Sequence, residues 1–353
     1  MKFASKLLNK LKCLTMIVLV STVVSCDSWL DLGSEDRIME NTLFSSQAGF
    51  MTALNGVYIE LLSSNLYGGT LSYKTFDILA QYYDCDKDEQ TWQKLSTFDQ
   101  TAKKGQVAGL WSKAYTLLVN VNTIIEACDG RKDVLNNEYY HVLKGEALAL
   151  RGLLHFEIFR VFGPIYSVDP EMECMPYSES SDLKVRSLLK ASEVAKLIMD
   201  DFRAAEELLK DYDPVIEKGA LWGDEGPGLP NDMVYRSLRL NYYAVKAYIA
   251  RLALYTGDKE TALAYARQVI KETQEDNDWF PFVTRAAATT LSKWDRVYKT
   301  EILFGVYNLK RSDVYESTFA NKLGEKVILR PTDANIENMY EEDTRMNDWR
   351  YTE

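Results

Sequence analysis

A mainly α fold made of helical pairs, with long loops and a few short strands toward the carboxyl end, is what three features of this sequence predict. Apolar residues recur at spacings of three and four in six stretches between residues 45 and 272, the period of a helix with one buried face. The densest Gly and Pro clusters fall between those stretches. Beyond Asp276 the helical period gives way to short β-prone runs among irregular residues.

The amino end comes first. Lys2, Lys6, Lys10 and Lys12 precede an uncharged apolar run from Leu14 to Val24, the order of a signal peptide. As a helix those eleven residues would span only about 16 Å, roughly half a bilayer core, which is too short for a permanent membrane span. Val23-Val24-Ser25-Cys26 follows and resembles the lipobox of bacterial lipoproteins. Residues 1–25 are therefore expected to be removed, and the Cys26 thiol to carry a diacylglycerol, with an acyl chain such as palmitate on the freed amine. Residues 26–40 are rich in acidic and small residues and read as a lipid-anchored tether.

A tetratricopeptide-like helical body is expected over residues 41–275. Ser45, a candidate N-cap, opens a helix that places Phe50, Leu54, Val57, Tyr58, Leu61 and Leu62 on one stripe. A second helix is expected from Gly109 to Ala127, carrying Trp111, Tyr115, Leu118, Val121, Asn122 and Ile125. The clearest runs from Glu138 to Phe162 through Leu143, Ala147, Leu150, Leu154, Ile158 and Val161, and Gly163-Pro164 stops it. Residues 187–210 give a fourth. The stretch from Asp211 to Asp232 holds Gly219, Gly223, Gly226, Pro227, Gly228 and Pro230, a density that excludes helix and marks an exposed loop. A helical hairpin follows, from Arg236 to Tyr255, through Thr256-Gly257-Asp258, to Lys259–Glu272. Its Ala250, Ala262 and Ala266 occupy the small-residue positions of a tetratricopeptide unit, where two helices approach closely. In the loop-rich portion over residues 276–353, strands are expected at Glu301–Tyr307 and Val327–Leu329.

Charge and cysteine usage exclude several functions. The formal net charge is −11, and loss of residues 1–25 removes four lysines and no acid, giving −15. Such a chain opposes contact with nucleic acid and with anionic surfaces. Cys85, Cys128 and Cys174 are too widely spaced for a metal pattern or a disulfide framework. His141 and His155 are the only histidines and read as structural. No glycine-rich phosphate loop or nucleophile elbow is present, so no cofactor and no enzymatic activity are expected.

Taken in order, the lipobox, the Trp111-Tyr115-Leu118-Asn122 helix, the Ala147–Pro164 segment, Asp201–Leu209, Ala247–Asp258 with Ala262 and Ala266, and Glu301–Phe304 resemble the SusD/RagB family of surface nutrient-binding lipoproteins. The resemblance runs over residues 23 to 350. It implies a tetratricopeptide scaffold that packs as a hinged lid on a SusC-like TonB-dependent outer-membrane transporter. Such a lid captures a glycan, or in some members a peptide, and delivers it without breaking a bond. Asp27 and Asp31 suit the surface export seen in such proteins, whereas in other bacterial groups an Asp directly after the cysteine signals inner-membrane retention. Family members continue well past the Asp343-x-Arg345 region, so residues 276–353 are expected to be a partial carboxyl portion of the family domain, lacking part of the ligand platform.

Sugar recognition needs flat aromatic faces and planar polar groups, and loops are where to seek them. Tyr82, Tyr83, Asp84, Asp86, Gln90 and Trp92 sit together where the family often has ligand contacts. Trp279, Phe280 and Trp294 form a second group. Tyr83, Asp84, Asp86, Trp92, Trp279 and Trp294 are the candidate ligand-binding residues, with ordinary packing under a loop as the competing reading. Trp111, Tyr115, Tyr242, Tyr243, Tyr248 and Tyr255 fall at core spacing and are assigned to the scaffold. The expected function is a surface-exposed, outer-membrane, lipid-anchored binder of oligosaccharide that feeds a transporter. Two alternatives stand behind it: a periplasmic lipoprotein adaptor that binds peptides through its helical pairs, and a carbohydrate-active hydrolase.

Overall fold

The computed structural model describes residues 40–86, 91–219, 233–289 and 297–339. Helices dominate, in the order α1 (Gln47–Leu61), α2 (Thr75–Leu79), α3 (Gln93–Ser96), α4 (Gln100–Gly130), α5 (Asn137–Phe162), α6 (Ala191–Leu209), α7 (Val215–Lys218), α8 (Tyr242–Thr256), α9 (Lys259–Ile270), α10 (Arg285–Thr289), α11 (Arg311–Thr318) and α12 (Asp333–Met339). Four of the long ones start at polar caps that satisfy orphan backbone donors. Asp99 accepts from the Ala102 N–H, Asn136 from Tyr139, Asn241 from Ala244 and Asp258 from Thr261. Gly257, at φ +88°, closes α8 in the left-handed conformation that glycine adopts without penalty.

Neighbours in sequence are neighbours in space, as expected of helical pairs. α5 lies between α4 and α6, α8 packs on α6 and α9, and α1 covers α4 and α5. Because α5 is enclosed, burial runs around nearly its whole circumference from Tyr139 to Phe159. Its Gly152 lets α6 approach closely: a Cβ there would meet the Phe202 ring at 2.8 Å. Trp111, Tyr115, Tyr242, Tyr248 and Tyr255 are half-buried against this core, and Tyr243 is buried in a smaller one with Val215 and Phe280, so the helical aromatics are scaffold.

Two charge networks cross the core. Arg236, fully enclosed, pairs with Asp213 and Glu146. Glu146 also accepts from the Tyr58 hydroxyl at 2.8 Å and from Arg239 at 3.4 Å. The Tyr58 hydroxyl in turn accepts the Leu240 N–H. Arg151 forks onto Asp201, which also receives the Tyr177 hydroxyl. His155 stacks on Tyr177 with centroids 3.7 Å apart. Its Nδ1–H donates to the Arg151 carbonyl and its Nε2 accepts the Ser178 N–H, so both nitrogens are satisfied in the neutral ring. Burial, with help from the nearby arginines, lowers its pKa to about 3. His141 stacks on Tyr212 at 3.9 Å. Both histidines are structural.

Several boundaries differ from expectation. Ser46, not Ser45, caps α1. α4 begins nine residues early, at Gln100, because Asp99 supplies its cap. The expected helix from Arg236 is a 3-10 turn at Arg236–Leu238 followed by α8, since Asn241 caps a fresh start at Tyr242. A short helix, α7, lies inside the breaker-rich stretch, and residues 220–232 lie outside the described ones. The strands expected at Glu301–Tyr307 and Val327–Leu329 are not formed. Leu303, Phe304 and Val306 instead pack on the helical core, and the Leu303 carbonyl and Gly305 N–H bond to Asn241 and Ser237. With no partner strand alongside, an extended apolar run finds its bonds one at a time. The two-stranded sheet among the described residues lies mid-chain: β1 (Glu173–Met175) pairs antiparallel with β2 (Leu189–Lys190), which delays the fourth expected helix to Ala191.

Candidate functional site

The loop after α2 is built by a reversal at Gln81, whose φ is +63°. Its side-chain amide donates to the carbonyls of Ile78 and Ser96, which ties α2 to α3. The next residues reach a partner segment nearly 250 positions away. Tyr83 forms an isolated antiparallel bridge with Pro331, and the Asp84 N–H donates to the Arg330 carbonyl at 2.9 Å. The Arg330 guanidinium returns to the Asp84 carboxylate at 3.3 Å. Thr91 donates its N–H and its hydroxyl to the Lys326 carbonyl. The Asn335 amide donates to the carbonyls of Gln81 and Tyr82.

Under this junction sits a small apolar core of Ile78, Cys85, Leu95 and Leu329, with half-buried Tyr83, Trp92 and Phe319 around it. The rings of Tyr83 and Tyr73 flank Phe319 at 6.2 and 5.6 Å. The Lys74 ammonium lies 5.6 Å from the Tyr73 centroid and 5.9 Å from that of Trp92, within cation–π range. Tyr82 and Asp86 are exposed. Burial, reinforced by the Asp77 charge, pushes the Tyr83 hydroxyl up to about 12. Burial, with Asp84 and Asp86 nearby, pushes the Cys85 thiol up to about 11. Both groups are thus neutral at pH 7 and suited to hydrogen bonding and packing, not to nucleophilic attack.

Tyr73 and Lys74 belong at the same time to a cleft of about 560 Å³ between the end of α1 and α11, a size common for ligand sites. Ile59 and Leu62 form one side, Tyr307, Asn308, Leu309 and Lys310 the other, and Asp313 and Ser317 lie at the α11 edge. Tyr307 and Leu309 are exposed, and Arg311 sits over the Tyr307 ring and donates to its hydroxyl. The cleft and the Trp92 loop therefore share a wall. A second cleft of similar size is lined by Glu138, Lys210, Asp211 and Tyr212 beside α7. Its aromatic, Tyr212, is already stacked on His141.

Of the sequence-derived candidates, Tyr83, Asp84, Asp86 and Trp92 come together here. Trp279 does not join them: its indole N–H donates to the Ile216 carbonyl, its ring covers Gly219, and it belongs to the separate Val215–Tyr243–Phe280 cluster. Cys26, Gln90 and Trp294 lie outside the described residues. Tyr73, Lys74, Tyr307 and Asn308 escaped the sequence reading, Tyr307 because Glu301–Tyr307 read as a strand. The dipeptide Tyr73-Lys74 ahead of an aromatic-rich loop was the available signal.

Comparison with known proteins fits this architecture. SusD-like protein P25 of Formosa agariphila is 20% identical over 212 residues, covering 58% of this chain and 38% of that protein. SusD-like protein P38 of the same organism is 24% identical over 205 residues, covering 56% and 37%. The chain thus spans less than two fifths of these curated relatives. Among solved structures, a SusD superfamily protein from Bacteroides thetaiotaomicron superposes with a TM-score of 0.62 at 16% identity, over 83% of this chain and 61% of that one. A SusD-like carbohydrate binding protein from Bacteroides vulgatus gives 0.53 at 19%, over 69% and 47%. At such identities the superpositions establish the fold. The family model described as "Starch-binding associating with outer membrane" matches residues 28–217, more than half of the sequence. The chain therefore belongs to the SusD-like family.

Proposed function

We propose that this chain is a surface-exposed, lipid-anchored outer-membrane protein that captures an oligosaccharide and passes it to a SusC-like TonB-dependent transporter. The observation that carries the reading is the shared wall of Tyr73 and Lys74 between Trp92 and the cleft bearing Tyr307 and Leu309. Flat rings and aliphatic side chains meet the CH face of a sugar, while Asn308, Asp313 and the Asp84–Asp86 loop supply planar groups for its hydroxyls. Trp279 enters as scaffold that holds the 215–219 turn.

Calorimetric titration of the mature chain with a panel of oligosaccharides tests the site. Trp92→Ala is expected to weaken the best ligand about tenfold, as befits one lost aromatic face; an unchanged affinity would remove Trp92 from the site. Protease shaving of intact cells beside a Cys26→Ala variant tests anchoring and orientation. Digestion of the wild type from outside, with release of the variant from membranes, is the expected result. Survival until the outer membrane is opened would place the protein in the periplasm and favour the peptide-adaptor reading.

A further inference from the structure

The formal net charge of the chain is −11, yet the cleft between the end of α1 and α11 carries the opposite balance. Lys74, just ahead of α2, and Lys310, just ahead of α11, both line it, and Arg311 opens α11 at its rim. Among the described residues none of these three cations is ion-paired. The contacts they do make leave their charge in place. The Lys74 ammonium lies 5.6 and 5.9 Å from the Tyr73 and Trp92 centroids, and a ring quadrupole orients a cation without neutralising it. The Arg311 guanidinium lies over the Tyr307 ring and gives one hydrogen bond, at 2.8 Å, to its hydroxyl, so the rest of its fork is open. The Lys310 N–H donates to the Asn308 side chain at 2.8 Å, which fixes the turn that carries its exposed ammonium.

The acids nearby do not cancel these charges. Glu60, on the α1 side of the cleft, is paired with Lys113, and Glu316, on α11, with Lys322. Asp313 lines the cleft as well and opposes the three cations alone. Helix α11 also begins here, with Lys310 in the N-cap position and no side chain capping it, so the N–H groups of its first turn add a partial positive charge. Asp313 lies in that turn and offsets part of this. What is left is a positive excess among aromatic rings, which a neutral sugar does not use and an anionic one does.

We infer that the oligosaccharide held in this cleft is an acidic one, bearing carboxylate or sulfate groups that Lys74 and Lys310 meet while Tyr73, Trp92 and Tyr307 meet its rings. The inference rests on the glycan-capture reading and adds the class of glycan. A lysine is a compact charge with rotatable donors, so it serves a planar carboxylate and a tetrahedral sulfate alike. Asp313 and Asn308 remain as partners for hydroxyls. The net negative charge of the whole chain opposes such a ligand weakly, because charges more than about 8 Å away are screened at physiological salt.

An array of neutral, uronate-bearing and sulfated oligosaccharides, followed by calorimetric titration of the best ligand, tests this with the mature chain. The glycans retained are expected to be acidic, and whether they carry uronate or sulfate tells which anion the lysines hold. Methyl esterification or desulfation of the best ligand should weaken it, as should added salt. Lys310→Gln and Lys74→Gln are each expected to weaken it about tenfold, the loss of one charge-assisted hydrogen bond. Lys310 is exposed, so its variant should keep the parental circular-dichroism melt and gives the decisive reading. Neutral glycans retained as strongly as acidic ones, or an affinity indifferent to Lys310→Gln, overturn the inference and leave glycan capture standing. Oligoglutamate binding as tightly as the best acidic glycan overturns it too and assigns the cleft to acidic peptides. Retention of no glycan of any class defeats the capture reading itself, and the inference with it.

Discussion

Helix α5 and the Tyr83–Trp92 junction are held by opposite means. α5 is enclosed on almost every side, and its charged residues Glu146, Arg151 and Glu157 are each buried and each paired. The junction has four fully buried apolar side chains beneath it and depends on backbone and amide hydrogen bonds to residues 326–335. Removal of apolar area from water stabilises the first, and directional bonds set the shape of the second. A binding loop kept on a few bonds can be adjusted residue by residue without disturbing the helices, and that separation is what the following changes probe.

Glu146→Ala carries the largest expected effect. It leaves the guanidinium of Arg236 enclosed with Asp213 alone and strips the Tyr58 hydroxyl of its acceptor. Breaking a buried ion pair from one side costs about 3–5 kcal/mol, so the urea midpoint should fall sharply, or the protein should fail to accumulate. A loss below about 1 kcal/mol would mean that this network contributes no more than a surface pair, and the contrast with the junction would collapse.

His155 gives the next effect, with a defined pH window. Its folded pKa is lowered to about 3, against about 6.5 in an unfolded chain. Between those values the unfolded state binds a proton that the folded state refuses. Its contribution is therefore complete above about pH 6.5 and is lost as pH falls toward 3, by about 1.4 kcal/mol per pH unit. Burial alone would raise the Glu146 carboxyl, but the Arg236 and Arg239 guanidinium groups beside it outweigh that and hold it below its ordinary value. Its contribution is present above the unfolded carboxyl pKa of about 4.3 and is lost below it. Denaturation of wild type and His155→Gln between about pH 6.5 and about pH 4.5 isolates the histidine. Parallel stability curves for the two proteins would show that the ring is not held neutral.

The same contrast explains what the sequence made legible. Leu143, Leu150, Leu154 and Ile158 declare α5 by spacing because local periodicity is written into consecutive residues. Glu146 and His155 lie on that same helix, yet no spacing reveals that Arg236 and Ser178 come to meet them. At the junction, Trp92 and Tyr83 were visible as an aromatic loop. Their setting was not, because Arg330, Pro331 and Asn335 arrive from the far end of the chain. Glu301 to Tyr307 failed as a strand for a related reason: β propensity describes a fit to a pleated neighbour, and here the neighbour is a helical core.

Asn335→Ala is the smallest of these effects and the one that tests the separation most directly. Its amide, at the start of α12, bridges the carbonyls of Gln81 and Tyr82 at 3.0 and 3.2 Å, and both residues are exposed. Water can replace those bonds, so the global midpoint should move by no more than about 1 kcal/mol. Local opening is another matter: amide exchange at Asp84, whose N–H is bonded to the Arg330 carbonyl, should quicken several-fold, while exchange within α5 stays unchanged. Oligosaccharide affinity should drop in parallel, since a loop that opens more often presents Trp92 in the right place less often. Equal acceleration at Asp84 and throughout α5 would show that the junction and the helical core open as one unit.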